Sequence, residues 1–369
     1  MKVLVTGSSG FIGQNLIARL RECKDNIIFP YDLNSTAEEL DLFTKECDFV
    51  FHLAGVNRPK EEKEFLEGNF GFTSVLLNKL KEHNNVCPIM ISSSIQAAIN
   101  NPYGISKKAG EDLLFEYGKE TGAKVIVYRF ENVFGKWCRP NYNSAVATFS
   151  HNIANDLPIT INDPNVELHL IYIDDLVNEL LNALHGKETM NGQFAKVEPV
   201  YKVKLGYIAE LLYSFKKSRS NLGVPQLDDP FVKKLYSNYL SYLPQNGFIY
   251  DLQMNIDNRG SFTEFLKTND RGQVSINISK PGINKGNHWH HTKTEKFLVV
   301  SGKGVIRFRK VGTSEVIEYF VSGEKLQVLD VPPGYTHNIE NLGNQDMVTV
   351  MWVNEIFDKD KPDTIFEEV

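Results

Sequence analysis

The sequence predicts an α/β fold with a doubly wound parallel sheet, followed by an all-β domain. From residue 2 to about 130, short β-rich runs alternate with longer helical patterns, which is typical of a sheet covered by helices on both faces. From Tyr250 onward the apolar pattern has a period of two and is broken by frequent turn signals. At 369 residues, the chain is also longer than a single hydrophobic core usually allows.

Five apolar runs predict the strands of the first domain, and they read KVLVTG, NIIFPYD, CDFVFHLAG, CPIMISSS and KVIVYRFENVFG. Segments between them, such as FIGQNLIARLREC and TSVLLNKLKEH, repeat apolar residues with the period of an amphipathic helix. Between about 140 and 245 further helices are predicted, for example at DDLVNELLNALHG and LGYIAELLYSF. These helices suit a substrate-binding extension of the first domain.

The helical pattern stops at Pro244 and Gly247, so we predict one domain at 1–245 and a second at 246–369. Turn signals then follow at DNRG, NDRG, KPG, SGKG, SGE and PPG. Evenly spaced short strands of this kind are typical of an antiparallel sandwich or barrel.

Composition narrows the class of protein. The formal net charge is -6, and no basic block is interleaved with aromatic residues, so no nucleic-acid partner is expected. The four cysteines form no C-x-x-C pair, which argues against a disulfide framework or a cysteine metal site. No apolar stretch approaches the roughly 20 residues of a membrane-spanning helix. We therefore expect a soluble cytoplasmic protein without membrane contact.

The segment TGSSGFIG places Gly7, Gly10 and Gly13 between the first strand and the first helix. Backbone without side chains can approach a pyrophosphate closely, and the start of a helix offers N–H donors. In this strand–turn–helix context the loop predicts a Rossmann-type dinucleotide-binding site.

Another set of polar residues suggests redox chemistry at a carbonyl. Tyr103 and Lys107 lie four positions apart, so a helix puts both side chains on one face. A cation beside a phenol lowers the phenol's pKa from about 10, which makes tyrosine a usable acid or base near neutral pH. Ser94, at the end of a predicted strand, can hydrogen-bond the carbonyl oxygen that is being reduced.

Together, the motifs T-G-x-x-G-x-x-G, H-L-A-G, S-S-S, Y-x-x-x-K, RFENVFG and HLIYIDDLV resemble those of extended short-chain dehydrogenases/reductases that act on nucleotide sugars, over residues 1 to about 245. The resemblance implies a catalytic triad of Ser94, Tyr103 and Lys107. It places around the cofactor, besides Tyr103 and Lys107, the residues Gly7, Gly10, Phe11, Ile12, Gly13, Leu53 and Ala54. It also assigns Asn132 to the phosphate of the sugar nucleotide.

Two features leave alternatives open. Ser94 precedes Tyr103 by only nine positions, a shorter gap than in most relatives, so Ser92 and Ser93 compete for the serine role. Asp32 closes the second predicted strand, where a carboxylate binds the ribose 2′-hydroxyl and normally indicates NAD. The next residues, Asn34 and Ser35, could instead accept the 2′-phosphate of NADP.

A histidine cluster in the second domain predicts a metal site. His288, His290 and Glu295 fit the spacing G-x5-H-x-H-x4-E-x6-G, and His337 follows in PPGYTHNIEN. Positions 288 and 290 of a strand point to the same face. Three neutral imidazoles and one carboxylate suit Zn²⁺ or another divalent transition metal, with an open position for water.

The two segments resemble the paired motifs of a cupin, over residues 246–369, which implies an all-β jelly-roll barrel. Leu326 departs from the second motif, where a glycine is usual, but no predicted ligand is lost. The base that would remove a proton from a substrate stays open, with His291, Tyr335 and Lys296 as nearby candidates.

An N-terminal reductase joined to a C-terminal cupin resembles a family of capsular polysaccharide synthesis enzymes. The resemblance implies a UDP-activated 4-keto amino sugar, a UDP-2-acetamido-2,6-dideoxy-4-hexulose, epimerised at C3 in the barrel and reduced at C4 with NADPH. The product would be UDP-N-acetyl-6-deoxy-L-talosamine, a precursor of UDP-N-acetyl-L-fucosamine. Epimerisation must come first, because the ketone that acidifies the C3 hydrogen is lost on reduction. Members of both families commonly pair, so a homodimer is expected.

Two other hypotheses remain. The barrel could be a binding or dimerisation module with a structural metal, attached to a nucleotide-sugar reductase. Alternatively, the chain could be a non-enzymatic sensor that binds a dinucleotide to regulate a partner. Tyr103 and Lys107 argue against a sensor, because a sensor needs no phenol with a tuned pKa.

Overall fold

The computed structural model describes residues 1–369. The chain forms two compact units. The N-terminal unit contains Met1–Tyr213 and Pro230–Pro244, and the C-terminal unit contains Ser214–Asp229 and Gln245–Val369. The segment Ser214–Asp229 precedes the predicted boundary at 245, yet it clusters with the second unit. Backbone hydrogen bonds explain this, since Val224 donates to the Lys267 carbonyl at 2.9 Å and Lys267 donates to the Leu222 carbonyl at 2.8 Å.

The N-terminal unit is built on a seven-stranded sheet with the order β2-β1-β3-β4-β5-β9-β8. Its strands are β1 Lys2–Thr6, β2 Ile27–Tyr31, β3 Phe49–His52, β4 Ile89–Ser94, β5 Val125–Phe130, β8 Met190–Asn191 and β9 Phe194–Ala195. All neighbours are parallel except β8 and β9. The five N-terminal strands predicted from apolar runs are therefore present. Pro30 lies in the edge strand β2, where a missing N–H donor breaks no sheet ladder.

A second, three-stranded sheet has the order β10-β7-β6. Its strands are β6 Asn132–Phe134, β7 Glu167–Tyr172 and β10 Tyr201–Lys204, with β6 and β7 parallel and β7 and β10 antiparallel.

Nine α-helices are present: α1 Phe11–Leu20, α2 Ala37–Glu46, α3 Lys63–Leu66, α4 Phe72–Glu82, α5 Pro102–Thr121, α6 Ala145–Ala154, α7 Ile173–Leu184, α8 Leu205–Asn221 and α9 Pro230–Leu240. A π-helical turn, Glu67–Gly71, joins α3 to α4, and short 3₁₀ turns occupy Ile95–Ala98 and Gln245–Gly247. None of these helices is long and apolar enough to cross a lipid bilayer.

Alternating residues of β1 show how the large sheet is covered. Val3 and Val5 belong to an apolar cluster with residues of α1 and α7, whereas Leu4 belongs to a second cluster with residues of α2, α4 and α5. Successive side chains of a strand point to opposite faces, so helices cover both faces. The predicted doubly wound architecture is confirmed. Because the helices cover the faces of the sheet, the ends of its strands can carry polar residues.

The C-terminal unit contains two antiparallel sheets. One has the order β11-β12-β13-β20-β15-β18 and the other β17-β16-β19-β14-β21. The strands are β11 Met254–Asp257, β12 Gly260–Thr268, β13 Gly272–Ser279, β14 Asn284–Trp289, β15 Glu295–Ser301, β16 Lys303–Lys310, β17 Val316–Ser322, β18 Val328–Val331, β19 Tyr335–Asn341, β20 Met347–Val353 and β21 Ile365–Phe366. The six predicted turn signals fall between these strands.

One apolar core serves both sheets. Phe297 and Val299 of β15 share a buried cluster with Ile306 and Phe308 of β16 and with Ile339 of β19. The two sheets therefore pack their inner faces together, as in a β-sandwich or small barrel.

Candidate active site and candidate metal centre

The glycine loop of the N-terminal unit leaves no room for side chains. Gly7 has φ +67°, and a Cβ atom there would lie 2.7 Å from the Ala54 backbone nitrogen and 2.9 Å from the Leu53 carbonyl carbon. A Cβ atom on Gly13 would lie 2.2 Å from the Gly7 oxygen. Helix α1 then begins at Phe11 without a side-chain cap, so its first N–H groups are available to an anion. Gly7, directly after β1, thus meets Leu53 and Ala54, directly after β3, at one edge of the sheet.

Asp32 lies beside the same loop. Its Oδ2 atom accepts hydrogen bonds from the Ser9 backbone N–H at 2.6 Å and from the Ser9 hydroxyl, and Oδ1 accepts one from the Leu33 N–H at 2.8 Å. Partial burial would raise the pKa of Asp32, but the hydrogen bonds from Ser9, Leu33 and Ser8 together outweigh it and lower the pKa. Asp32 is therefore a carboxylate at neutral pH, and it ties the end of β2 to the glycine loop.

Tyr103 and Lys107 lie on one face of helix α5 because they are four residues apart, and the start of this helix is fixed just before Tyr103. Asn101 caps the helix by accepting a hydrogen bond from the Gly104 N–H at 2.7 Å, and Pro102 occupies the first turn, where its fixed φ suits a helix. The Lys107 ammonium lies 5.9 Å from the centre of the Tyr103 ring. The predicted pair is therefore brought together.

Three serines end β4, and they point to different partners. Ser92 Oγ donates to the His52 carbonyl at 3.3 Å, and Ser93 Oγ donates to Glu111 Oε1 at 2.5 Å. Ser94 Oγ accepts a hydrogen bond from the Gln96 N–H at 3.2 Å. Burial raises the pKa of Tyr103, and a hydrogen bond with the Ser94 hydroxyl opposes that shift. The geometry therefore favours Ser94 among the three candidates.

Lys107 is almost completely buried. Its Nζ atom donates to the Ser92 carbonyl at 3.1 Å. Burial lowers the pKa of Lys107 to about 8, although the negative charge of Glu111 opposes the shift. The side chain thus remains a cation at neutral pH. The predicted lowering of the Tyr103 pKa is not observed, because burial of the phenol raises that pKa overall.

Several polar residues around this triad were missed from the sequence. Tyr103 donates its hydroxyl proton to Asn57 Oδ1 at 3.1 Å. His52 is buried between two threonines, with Nδ1 2.8 Å from Thr6 Oγ1 and Nε2 2.8 Å from Thr73 Oγ1. Burial, assisted by the charge of Lys107, lowers the pKa of His52 to about 3, so its ring is neutral. Nothing in the sequence near these residues signals such contacts.

Glu111 could have been found, because it follows Lys107 by four positions on the same helix. It is completely buried and binds the Arg129 guanidinium through both oxygens, at 2.8 and 2.6 Å. Asn132, by contrast, makes no recorded contact with the triad residues. It is exposed at the start of β6 and donates to the His169 carbonyl at 3.4 Å.

In the C-terminal unit, the four predicted metal ligands converge. The donor atoms of His288, His290, Glu295 and His337 all lie within 4.8 Å of one another. Glu295 Oε2 lies 3.4 Å from His290 Nε2 and 3.1 Å from His337 Nε2. These three atoms are buried and have no hydrogen-bond partner. A divalent cation would satisfy all of them, so the residues fit a zinc-type site.

Protonation also suits metal binding. His290 Nδ1 lies 2.6 Å from the Asp363 carbonyl oxygen, so this nitrogen carries the proton and Nε2 keeps its lone pair. Burial, assisted by the charge of His337, lowers the pKa of His288 to about 4. Burial would raise the pKa of Glu295, but contacts with His290 and His337 outweigh it and lower the pKa to about 2. At neutral pH His288 is thus a neutral imidazole and Glu295 an ionised carboxylate, the forms that bind a metal. Burial would lower the pKa of His290, but contacts with Glu295 and Asp363 outweigh it and raise the pKa.

These ligands line a cavity of about 810 Å³ within the C-terminal unit. None of the three candidate bases named above lines it. The Lys296 side chain is paired with Asp330, and the His291 ring packs on Trp289 at 4.6 Å. Lys285 lines the cavity instead. A β-bulge between Gly286 and His288 reverses the alternation of β14, so that Lys285 and His288 face the same way.

Comparison with known proteins identifies the N-terminal part. Residues 3–194 match the NAD dependent epimerase/dehydratase family. The chain belongs to this family. Residues 255–365 match the polysaccharide biosynthesis C-terminal domain.

Two relatives resemble the whole chain. One, from Pseudomonas aeruginosa, is a UDP-2-acetamido-2,6-beta-L-arabino-hexul-4-ose reductase, 45% identical over 99% of this chain and 98% of that protein. The other is the capsular polysaccharide assembling protein CapF from Staphylococcus aureus, whose crystal structure is 57% identical and covers 100% of both chains with a TM-score of 0.96. The predicted resemblance to capsular polysaccharide enzymes is therefore confirmed. UDP-glucuronic acid 4-epimerase from Bacillus cereus, at 22% identity over 58% of this chain and 84% of its own, with a TM-score of 0.52, shares the fold of the N-terminal part.

Proposed function

We propose that this family member is a bifunctional nucleotide-sugar enzyme, with a reductase domain at residues 1–245 and a metal-binding cupin domain at 246–369. The N-terminal domain would reduce the C4 ketone of a UDP-2-acetamido-2,6-dideoxy-4-hexulose. The C-terminal domain would epimerise the same sugar at C3, and the product would be UDP-N-acetyl-6-deoxy-L-talosamine. The full-length similarity to a reductase of a UDP-linked hexul-4-ose supports the substrate class.

One observation carries the reductase proposal. Tyr103 is half-buried beside both the Ser94 hydroxyl and the Lys107 ammonium, at the sheet edge where the glycine loop lies. Burial keeps the Tyr103 phenol protonated at neutral pH, as a proton donor to a carbonyl must be. Ser94 would hydrogen-bond the carbonyl oxygen, and Tyr103 would protonate it. A bound NADPH supplies the hydride.

Lys107 would support this transfer in two ways. Its charge favours the phenolate that Tyr103 becomes after giving up its proton. Its hydrogen bond to the Ser92 carbonyl fixes the ammonium beside the phenol before the substrate arrives, so no reorganisation is needed during the reaction.

The epimerase proposal is supported by the buried ligand set and the cavity around it. When bound, a metal such as Zn²⁺ supplies a Lewis acid for a sugar oxygen, which stabilises the negative charge that develops when the C3 proton leaves. His288, His290, Glu295 and His337 would hold that ion. Lys285 lines the same cavity, where its Nζ atom donates to Asn277 Oδ1 at 2.9 Å and to the Ile278 carbonyl at 2.8 Å, and burial lowers its pKa.

Isotope exchange tests the two activities separately. The UDP-4-keto sugar is incubated with the full chain in D₂O, with and without NADPH and with and without a chelator. We expect deuterium at C3 without NADPH, loss of that exchange on chelation, and NADPH oxidation that continues after chelation. A C-terminal domain that only binds or dimerises would incorporate no deuterium under any condition, and a dinucleotide sensor would oxidise no NADPH.

A further inference from the structure

We propose that Asp363 is a positioning residue for the metal ligand His290, and that the C-terminal segment 361–368 is thereby part of the metal centre. This inference rests on the metal site proposed above. It adds a residue that lies 73 positions from the ligand it orients and outside both predicted metal motifs.

The first contact sets the tautomer of the ligand. The Asp363 carbonyl oxygen lies 2.6 Å from His290 Nδ1. A carbonyl can only accept, so Nδ1 must donate, and the neutral imidazole then keeps its lone pair on Nε2. Nε2 is the atom that lies 3.4 Å from Glu295 Oε2. The contact therefore orients the ring and directs its free nitrogen toward the other ligands.

The second contact fixes the turn that follows His290. The Asp363 carboxylate accepts hydrogen bonds from three consecutive backbone N–H groups, those of His291 at 3.0 Å, Thr292 at 2.9 Å and Lys293 at 3.0 Å. The Thr292 hydroxyl adds a fourth bond at 3.1 Å. This turn connects His290 to the next ligand, Glu295, so its shape sets the spacing between the two.

Asp363 itself is held in place from both sides. On one side, the buried Lys293 ammonium donates to the Pro362 carbonyl at 2.5 Å. On the other, β21 pairs with β14, with His288 opposite Phe366. Asp363 has φ +36°, a left-handed conformation that most side chains disfavour but aspartate tolerates. The neighbouring contacts thus hold a conformation in which carbonyl and carboxylate reach the same turn.

The test measures metal binding rather than turnover. Zinc affinity of the full chain is determined by competition with a chromogenic chelator, for the wild type, Asp363→Ala and Asp363→Asn. Asp363→Ala keeps the backbone carbonyl that contacts His290 Nδ1 but removes the carboxylate that holds the turn at 291–293. We therefore expect it to weaken zinc binding by about 10- to 100-fold, through displacement of that turn. Asp363→Asn should lie between, because its amide oxygen keeps part of the acceptor role. Asp360→Ala, which removes an exposed carboxylate directly before this segment, is the matched control and should bind zinc like the wild type.

A spectroscopic readout separates positioning from a general loss of stability. The absorption bands of the Co²⁺-loaded protein report ligand geometry, so they should change in Asp363→Ala and stay unchanged in Asp360→Ala. If the wild type binds zinc and both Asp363 variants match its affinity and its Co²⁺ spectrum, the positioning role is wrong. If the wild type binds no transition metal, the proposed metal site fails and this inference fails with it. If Asp363→Ala does not fold, the comparison of Asp363→Asn with the wild type decides the question.

Discussion

The Lys107 ammonium lies 5.9 Å from the centre of the Tyr103 ring, on the same face of α5 and one turn away. Burial raises the pKa of Tyr103 and lowers the pKa of Lys107 to about 8. At neutral pH the phenol therefore carries its proton while the neighbouring amine is charged. This is the arrangement that a reduction requires, since the tyrosine must deliver a proton and then bear a negative charge.

Replacement of Tyr103 by phenylalanine tests the proton donor. Tyr103→Phe keeps the ring but removes the hydroxyl, so reduction of the keto sugar should slow by about 10²–10⁴-fold, the range for loss of a positioned acid. The measurement is NADPH oxidation under saturating substrate. The exposed Tyr207 offers a control, and Tyr207→Phe should retain full activity. Undiminished reduction by Tyr103→Phe would rule out the assigned acid.

The pKa of Lys107 predicts a pH limit for the reductase. As pH rises through about 8, Lys107 loses its charge and no longer stabilises the phenolate, so kcat/KM for reduction should fall. Below that pH Lys107 keeps its charge, so kcat/KM should no longer change with the protonation of this residue. In Lys107→Met the reaction should be slow, and the limb near pH 8 should be missing from a plot of kcat/KM against pH. A limb retained unchanged in Lys107→Met would assign it to another group.

Metal removal should separate the two proposed activities. His337→Ala leaves the buried Glu295 carboxylate without one of its two histidine neighbours, 3.1 Å away, and removes one of four ligands. We expect loss of bound zinc and of deuterium exchange at C3, with NADPH oxidation retained. Elemental analysis and NMR provide the two measurements. His185→Ala, at the end of α7, should change neither, and exchange that persists in zinc-free His337→Ala would contradict a metal role.

The Glu111–Arg129 ion pair should stabilise the N-terminal unit. Glu111 is fully buried and both its oxygens bind Arg129, so Glu111→Ala leaves a partly buried guanidinium without its counter-charge. Loss of one partner from such a pair costs about 3–5 kcal/mol. Urea unfolding measures this loss in the free energy of unfolding. The exposed Lys108–Asp112 pair on the same helix provides the control, and Asp112→Ala should cost under about 1 kcal/mol. Equal costs for the two variants would show that burial does not matter here.

Gly7 should be essential for binding the dinucleotide. A side chain at Gly7 would meet the Ala54 backbone at 2.7 Å and would adopt φ +67°, so Gly7→Ala must displace the loop. Gly192 has a similar φ of +64° but open space around it. Gly192→Ala therefore reproduces the backbone strain of about 1 kcal/mol without the clash. NADPH titration by fluorescence should show strong weakening only in Gly7→Ala, and comparable affinities would exclude close approach at this glycine.

The sequence alone predicted the doubly wound parallel sheet and the antiparallel second domain. It also predicted most of the residues that come together in the two candidate sites. Periodicity determines which face of each element is apolar, and strand–helix alternation then fixes a parallel sheet. Spacing also predicted the Tyr103–Lys107 pair on α5 and the convergence of His288, in β14, with His290, directly after that strand, because a helix turn and a strand pleat have fixed repeats.

The tertiary structure decided what depends on contacts between distant segments. It selected Ser94 by giving Ser92 and Ser93 other partners, His52 and Glu111. It moved Ser214–Asp229 into the C-terminal unit. It also placed Lys285 in the cavity lined by the four predicted metal ligands, through a bulge that breaks the strand repeat. Asp363 lies beside His290 because β21, near the end of the chain, pairs with β14. Such contacts form when distant segments of the chain pack together, so the repeat of a single helix or strand does not predict them.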